Sequence, residues 1–330
     1  MSATIKDVAI LAGTSTATVS RVINNSPKVT EKVRKRVRAA IEELGYTPNP
    51  AGRILKSGVN KSILVIVPYK LSSFYGKLID SMTQEATAND YTLLISACNN
   101  DSNYEQTLVN RMLKDMIKGF VFLGTFFDGH ELNEISRQIP SVICCEQLDK
   151  ADLFTVVCDY RQGASMAVER MIAAGHKRIG YIAMRHRPAS SRLKLEGFKQ
   201  TLSDHGIAFS EEHIFYGSHT QQTGYSAMRY FNCLDEPPTA IFAETDLLAM
   251  GALNYAEESG LFSDGNPAIC GFDDLDICCM GVRKLTSVSQ PLDEIGRTTV
   301  RALIDIIENH KENKGTITLP VSLSLRDTLK

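Results

Sequence analysis

Four hydroxyl side chains and one arginine stand close together in STATVSRVIN, residues 15–24. The hydroxyl residues are Ser15, Thr16, Thr18 and Ser20. Hydroxyl oxygens can bond phosphates or base edges, and an arginine such as Arg21 can pair with guanine through two hydrogen bonds. Ser and Thr are otherwise poor interior helix residues. The alternative is that these hydroxyls only cap a helix or face solvent.

The surrounding residues predict three short helices that would position these side chains. The first begins after Thr4, the second after Thr14 or Ser15, and the third after Thr30, with Gly45 past its last turn. Two helices joined by a brief glycine-containing turn form a helix-turn-helix unit. The second helix of that unit presents its N-terminal side chains to the major groove of DNA.

The formal charge of the chain is unevenly distributed. Residues 1–60 contain ten Lys or Arg and four Asp or Glu, whereas residues 61–330 contain 26 basic and 34 acidic side chains. A head of +6 on a body of −8 indicates an anionic partner for the head. A solvated basic face is the alternative interpretation.

Residues 46–61, YTPNPAGRILKSGVNK, interrupt the helical pattern. They contain two prolines, two glycines and three basic residues, which is typical of a linker. Because proline suits a first helical turn, a short helix over residues 50–56 is expected.

From Ser62 onward, apolar strands alternate with amphipathic helices. Such alternation predicts an α/β fold with parallel sheets covered on both faces. There are too many βα units for one sheet, so two doubly wound lobes are expected, with a ligand at the carboxyl ends of the strands. Residues 312–330 are interpreted as a helix end followed by one strand, VSLSLRD. The predicted strands are SILVIVP, YTLLISA, GFVFLG, SVICCE, TVVCD, RIGYIA, TAIFAE and AICGFDD.

The eight cysteines show no C-x-x-C spacing, and two pairs are adjacent: Cys144 with Cys145 and Cys278 with Cys279. Most lie in apolar runs, so reduced, buried thiols are expected rather than a metal site or disulfides. No apolar run approaches the roughly 18 residues of a membrane span, and no signal peptide is apparent, which favours a cytoplasmic protein.

An enzyme is disfavoured because the motifs of common active sites are missing. The sequence has no G-x-G-x-x-G after a strand, no P-loop, no G-x-S-x-G and no H-E-x-x-H, and its seven histidines are scattered. We therefore expect no catalytic residues, no metal ligands and no cofactor.

Segments along nearly the whole chain resemble the lactose-repressor/galactose-repressor (LacI/GalR) family. They include TIKDVAILAGTSTATVSRVINNSPKVTEKVRKRVRAAIEELGYTPNPAGRILKSG, KGFVFLG, GHKRIGYI, ETDLLAMGAL, ICGFDD, KLTSVSQPLDEIG and LSLRDT. The resemblance implies a transcriptional regulator, expected to be a repressor, that binds operator DNA as a dimer and responds to a small metabolite in a periplasmic-binding-protein-like core. The implied divisions are a DNA-binding domain at 1–48, a hinge at 49–61 and a core at 62–330, with lobe 1 at about 62–160 and 291–318 and lobe 2 at about 161–290 and 319–330.

In the head, the resemblance assigns base reading to Thr16, Ala17 and Arg21. Ala17 can offer only apolar contact, for example to a thymine methyl group. Leu55 of the hinge would insert between base pairs in the minor groove. Further DNA contacts are expected from the hydroxyl residues Ser15, Thr18 and Ser20. The basic and polar residues expected to contact DNA are Lys6, Asn25, Lys32, Arg34, Arg53 and Lys56.

In the core, the resemblance predicts an effector cleft lined by residues of both lobes. These are Phe74, Tyr75, Ser190, Lys194, His219, Asp273 and Gln290. Three positions depart from the family: Lys194 replaces an arginine, His219 a stacking tryptophan of the lactose repressor, and Cys145 an aspartate, with Glu146 beside it. A neutral or weakly anionic sugar derivative is the first effector hypothesis and a nucleobase or nucleoside the second. Asp246 is interpreted as a helix cap rather than a ligand contact.

Two expectations concern assembly and class. The residues after LSLRDT do not include the tetramerising tail of the lactose repressor, so a homodimer is expected. The remaining alternative class, a sugar-binding receptor without a DNA role, fits poorly with the basic head and the missing signal peptide.

Overall fold

The computed structural model describes residues 3–23, 26–46, 61–68, 72–114, 117–185, 188–262 and 267–329. The chain divides into two compact units, Met1–Asn60 and Lys61–Lys330. Four residues expected to contact DNA, namely Asn25, Arg53, Leu55 and Lys56, lie outside the described residues. No helix within the described ranges is both long enough and apolar enough to cross a membrane.

In its described residues, the first unit contains three helices: α1 (Ile5–Leu11), α2 (Thr16–Ile23) and α3 (Glu31–Leu44). At the start of α1, Thr4 and Asp7 form a reciprocal capping box. Of the two residues that could cap α2, Thr14 and Ser15, it is Ser15 that does so. Its Oγ accepts a hydrogen bond from the backbone N–H of Thr18 at 3.2 Å. Helix α3 ends at Leu44, and Gly45 caps its C-terminus with φ 57°.

Apolar side chains from all three helices form the small core of the head. Val8 of α1, Val19 and Val22 of α2, and Val37 of α3 are almost fully buried. Val19 and Val22 lie three positions apart, so they share one face of α2. Packing against α1 and α3 therefore holds α2 in place despite its weak intrinsic helix propensity.

The described residues of the second unit form two six-stranded sheets. Their strands are β1 (Ser62–Val67), β2 (Thr92–Ala97), β3 (Gly119–Phe122), β4 (Ser141–Cys144), β5 (Phe154–Cys158), β6 (Ile179–Met184), β7 (Ile214–Gly217), β8 (Ala240–Ala243), β9 (Ala268–Asp273), β10 (Thr286–Ser289), β11 (Thr316–Leu319) and β12 (Ser322–Ser324). The first sheet has the order β11-β5-β4-β3-β1-β2 and the second β12-β10-β9-β8-β6-β7. These strand pairs are all parallel except β10 with β12.

Helices cover both faces of each sheet. The helices of lobe 1 are α4 (Ser73–Ala88), α5 (Ser102–Met112), α6 (Gly129–Gln138) and α11 (Leu292–Asn309). Those of lobe 2 are α7 (Tyr160–Ala173), α8 (Ala189–Asp204), α9 (Gln221–Phe231) and α10 (Asp246–Glu258), with short 3-10 helices at Glu211–His213 and Asp276–Cys279. Successive residues of β1 point to opposite faces of the first sheet. Val65 packs towards α4 and α11, and Ile66 packs towards α5 and α6.

The C-terminal region differs from the sequence prediction of a helix end and one strand. Helix α11 already ends at Asn309, and two strands follow, β11 in the first sheet and β12 in the second. Pro320 lies between them and has no backbone N–H to continue a strand ladder. Strands β7 and β10 were also not predicted, because IFYG is only half-buried and TSVS is largely polar.

Helices α9 and α10 cross unusually closely. A methyl group on Gly224 would lie 1.9 Å from the carbonyl oxygen of Leu248, and one on Gly251 would lie 1.9 Å from that of Gln221. Each glycine therefore lets its helix approach the backbone of the other. This contact fixes the packing of lobe 2 behind the second sheet.

Candidate functional site: a DNA-binding head and an effector cleft

The outward side of α2 carries the side chains expected to read DNA. Ala17 and Arg21 are exposed, and Thr16 and Ser20 are half-buried. The Oγ atom of Ser15 lies 3.0 Å from the hydroxyl of Thr18, so these two hydroxyls also contribute to capping. The face that holds α2 in the core and the face available to a partner are thus different faces of one helix.

The basic residues of the head fall into two groups. Lys6 and Lys32 are exposed. Arg34 is mostly buried: its guanidinium donates to the carbonyl oxygen of Ser26 at 2.9 Å and lies 3.5 Å from the carboxylate of Glu31. Arg34 therefore ties the start of α3 to the preceding turn, a structural role that the sequence interpretation did not foresee.

The second unit contains a cavity of about 590 Å³ between its two lobes, which we call the effector cleft. All seven residues predicted to bind an effector line it: Phe74, Tyr75, Ser190, Lys194, His219, Asp273 and Gln290. Most lining residues follow the carboxyl ends of parallel strands, where ligands bind in folds of this kind. The volume lies within the usual range for small-molecule sites, about 300–1,000 Å³.

A buried lysine forms part of the floor of the effector cleft. The Nζ atom of Lys194 donates to the backbone carbonyl oxygen of Glu244 at 2.9 Å. The same ammonium lies 3.8 Å from the ring centroid of Phe272 and 5.5 Å from that of Tyr160. Cation–π contacts of this kind stabilise a charge that has been removed from water.

The carboxylate of Glu244 is also buried, and it holds several elements together. It accepts hydrogen bonds from the hydroxyls of Tyr181 and Ser191, each at 2.9 Å, and from the N–H of Met184 at 2.8 Å. Burial raises the pKa of this carboxyl, while the Lys194 ammonium opposes the rise. Glu244 thus fixes α8, and with it Ser190 and Lys194, against the ends of β6 and β8.

Asp273 and Gln290 form a second polar group in the effector cleft. The Nε2 atom of Gln290 donates to Asp273 at 2.7 Å, and its Oε1 accepts from the thiol of Cys158 at 3.1 Å. Burial raises the pKa of Asp273 to about 8, with the Lys194 ammonium opposing the shift. Asp273 has φ 117°, a backbone conformation that turns the chain sharply at the end of β9.

Glu146 of lobe 1 bonds directly to lobe 2. It accepts from the N–H of Ser190 at 3.0 Å and from the Ser190 hydroxyl at 2.9 Å. Burial raises the pKa of Glu146, and these hydrogen bonds oppose the rise. Ser190 lies in the first turn of α8. This contact therefore joins the segment after β4 to the start of a lobe 2 helix.

Aromatic side chains surround the opening of the effector cleft. The rings of Phe74 and Tyr75 lie 5.4 Å apart in an edge-to-face arrangement. Phe126 is partly exposed, and buried Glu105 holds its loop by accepting from the Phe126 N–H at 2.8 Å. His219 lies exposed beyond the end of β7.

The helix-cap interpretation of Asp246 was wrong, because Thr245 caps α10 by accepting from the N–H of Leu248. Asp246 is fully buried and instead accepts from the N–H of Leu275 at 2.7 Å and from the hydroxyl of Ser287. Sequence reasoning gave no role to Tyr160, and it did not single out Glu244. Glu244 directly follows β8 and Tyr160 lies two residues after β5, and a position just after a strand end is the signal that could have found them.

The cysteines are free and mostly buried, as their positions in apolar runs predicted. All eight cysteines are free thiols, and five of them are buried. In the part of the chain that the structure describes, no group of three or more His, Cys, Asp or Glu residues could hold a metal ion. The residues that line the effector cleft offer hydrogen-bonding and stacking groups.

Comparison with known proteins identifies both units. Residues 60–326 match the family described as periplasmic binding proteins and sugar binding domain of LacI family, and residues 4–49 match bacterial regulatory proteins, lacI family. The chain is 33% identical over 329 residues to the HTH-type transcriptional repressor CytR of Escherichia coli (strain K12), covering 99% of this chain and 96% of that protein.

Solved structures show the same architecture. The Lac repressor dimer bound to operator and the anti-inducer ONPF is similar with a TM-score of 0.86 at 25% identity, over 99% of each chain. A complex of the transcriptional regulator CelR with cellobiose is similar with a TM-score of 0.75, also at 25% identity and over 99% of each chain. The chain therefore belongs to the LacI family and is a DNA-binding transcriptional repressor, not an enzyme.

Proposed function

We propose that a sugar or sugar derivative, bound in the effector cleft, switches the affinity of this repressor for operator DNA. The observation that carries the proposal is that the seven predicted effector residues line one cavity of about 590 Å³. That cavity lies between two lobes already linked by a hydrogen bond from Ser190 to Glu146. A ligand that replaces or strengthens this link would change how the lobes sit on each other.

The chemistry of the cleft suits a polyhydroxylated ligand. The carboxyls of Glu146 and Asp273 accept hydrogen bonds, and the Gln290 amide both donates and accepts. The rings of Phe74 and Tyr75 supply apolar faces against which a sugar ring packs. The cellobiose complex of CelR, a protein of the same architecture, is an example of a sugar bound to a regulator of this kind.

A nucleobase or nucleoside is the second candidate effector. Four aromatic side chains line the cleft, namely Phe74, Tyr75, Phe126 and Tyr160. Flat aromatic bases stack on such rings, and the ribose hydroxyls would bond the same carboxyls. The two candidates differ in whether affinity depends on the base.

For the DNA-binding role, we propose that α2 reads the major groove through Thr16, Ala17 and Arg21, with Ser15, Thr18 and Ser20 near the phosphates. Exposure of Ala17 and Arg21 on the face opposite Val19 and Val22 supports this assignment. Asn25 and the hinge residues Arg53, Leu55 and Lys56 are proposed as further DNA contacts on the family resemblance alone. A homodimer is proposed because the Lac repressor binds its operator as a dimer.

A thermal-shift screen of sugars, sugar phosphates, nucleobases and nucleosides tests the effector class. A ligand at 100 times its dissociation constant stabilises the fold by about 2.7 kcal/mol, which a melting curve resolves. We expect stabilisation by a sugar and loss of that stabilisation in Gln290→Ala. A nucleoside that stabilises the protein when its free sugar does not would favour the second candidate.

A further inference from the structure

Two neighbouring thiols lie at the lobe 1 wall of the effector cleft. Cys144 is the last residue of β4 and is buried, whereas Cys145 is half-buried and lines the cleft. Their Sγ atoms are 3.5 Å apart. The exposed cysteines, Cys233 and Cys279, lie on other elements.

The backbone of Cys145 explains why the two sulfurs meet. Successive residues of a strand point to opposite faces, so adjacent cysteines in a regular strand keep their sulfurs apart. Cys145 instead has φ 62°, in the left-handed region that non-glycine residues rarely adopt. Its N–H donates to Val156 at 2.9 Å and its carbonyl accepts from the Tyr160 hydroxyl at 2.7 Å, and both bonds hold this conformation.

This pair is poorly suited to become a disulfide. Neighbouring Cα atoms lie about 3.8 Å apart, whereas disulfides need about 4.4–6.8 Å between Cα atoms and about 2.05 Å between sulfurs. The hydrogen bond to Cys144 and burial raise the pKa of Cys145, so it stays a protonated thiol at neutral pH. A protonated thiol resists oxidants and simple alkylating agents.

The spacing suits a single soft atom that bonds both sulfurs. Two sulfurs held at about 2.3 Å from one centre, with an angle between about 95° and 109°, lie about 3.4–3.8 Å apart. Cysteine sulfur prefers soft acceptors to hard cations. No group of three or more His, Cys, Asp or Glu residues is placed to hold a metal ion among the described residues, so an acceptor that brings its own third substituent suits the pair better than a bare metal ion.

We propose that Cys144 and Cys145 form a chelating site for trivalent arsenicals of the type R–As=O within the effector cleft. In the reaction the two S–H bonds break and two As–S bonds form. The two protons leave with the arsenic-bound oxygen as one water molecule, so arsenic stays trivalent and no oxidant is needed. The R group then occupies the cleft and competes with the effector.

Intact-mass measurement of the full chain with phenylarsine oxide tests the site. We expect one adduct, with the mass of one reagent minus one water, that resists excess monothiol and is released by 2,3-dimercaptopropanol. Cys145→Ser should lose the resistant adduct at an unchanged melting temperature. The double variant Cys233→Ser/Cys279→Ser is the matched control and should keep it.

Three results would overturn the proposal. The first is no resistant adduct on the wild-type chain. The second is an adduct that persists in Cys145→Ser, which would place the chelate at other thiols. The third is loss of 2 Da on mild peroxide treatment that maps to Cys144 and Cys145, because the pair would then be a disulfide switch.

Discussion

At the scale of single residues, the effector cleft contains buried polar and ionisable side chains that are hydrogen-bonded to their neighbours. Lys194 gives its Nζ hydrogen bond to the carbonyl of Glu244 and lies over the Phe272 ring. A lysine supplies a point charge where the planar fork of an arginine would grip a ligand through two bonds. We therefore expect a ligand to be bound more through Glu146, Asp273 and Gln290 than through a cationic clamp.

The raised pKa of Asp273 predicts a pH dependence of stability. The carboxyl has a pKa of about 8 in the folded chain against an ordinary 3.8, so between these values the folded state binds more protons than the unfolded state. The free energy of unfolding that Asp273 contributes therefore falls as pH rises through this window. Asp273→Asn, which retains an oxygen for Gln290, should gain stability relative to wild type between pH 5 and pH 8 in urea denaturation. A difference between the two proteins that does not change with pH would contradict the assignment.

Operator preference should depend on Ala17. Because alanine offers only a methyl contact, Ala17→Gln adds an amide that can pair with adenine. We expect binding to a randomised operator library to shift towards different bases at one position in each half-site. Ala39→Gln, at an exposed site of α3, is the matched control and should leave the preference unchanged. Uniform weakening across all operators by Ala17→Gln would argue against base reading.

At the scale of elements, short strands and strand ends position the site. Glu146, Asp273 and Gln290 all stand at or just after the carboxyl end of a parallel strand. The apolar runs that became β1, β4 and β9 predicted this arrangement directly. Strand β10, with the polar sequence TSVS, was not predicted from the sequence. It forms because β9 and β12, which are distant in sequence or separated by a helix, pair with it on either side.

The glycine contact between α9 and α10 gives a stability prediction. Gly224→Ala and Gly251→Ala each force a methyl group against a backbone carbonyl, which should lower the free energy of unfolding by about 1–3 kcal/mol. Gly76→Ala in α4 is the control, since nothing lies within 4 Å of the added methyl group. It should be neutral or stabilise the chain by up to about 1 kcal/mol in the same urea titration. Equal effects at all three sites would mean that the close crossing is not what limits these positions.

Sequence patterns predicted much of the architecture, and the family resemblance is confirmed by the comparisons. Local signals were strong where caps and apolar periodicity agree, as at Thr4, Ser15 and Gly45. They were weak where a role depends on distant neighbours. Asp246 resembled a cap in sequence, but its partners Leu275 and Ser287 come from later segments.

At the scale of the whole molecule, charge separates the two units. The head carries +6 and the remainder −8, so DNA should be attracted to residues 1–60 and repelled by the core. The two units are also separate compact bodies along the chain. DNA binding and effector binding should therefore be separable by truncation.

A fragment of residues 61–330 tests this separation. It should retain the melting-temperature rise caused by the effector, because its core contains the whole cleft. It should show no measurable operator binding by fluorescence anisotropy. A fragment that still binds operator tightly would place the DNA-binding surface on the core and contradict the division of roles.

Occupancy of the effector cleft should change the affinity of this repressor for operator DNA. The operator dissociation constant of the full chain, measured at fixed salt with and without the ligand found by thermal shift, tests this prediction. We predict a change of about fivefold or more for the wild type. Gln290→Ala should abolish this change without altering affinity in the absence of ligand, whereas Tyr230→Ala, at an exposed site of α9, should retain it. An operator affinity that stays the same when the cleft is saturated would contradict the account.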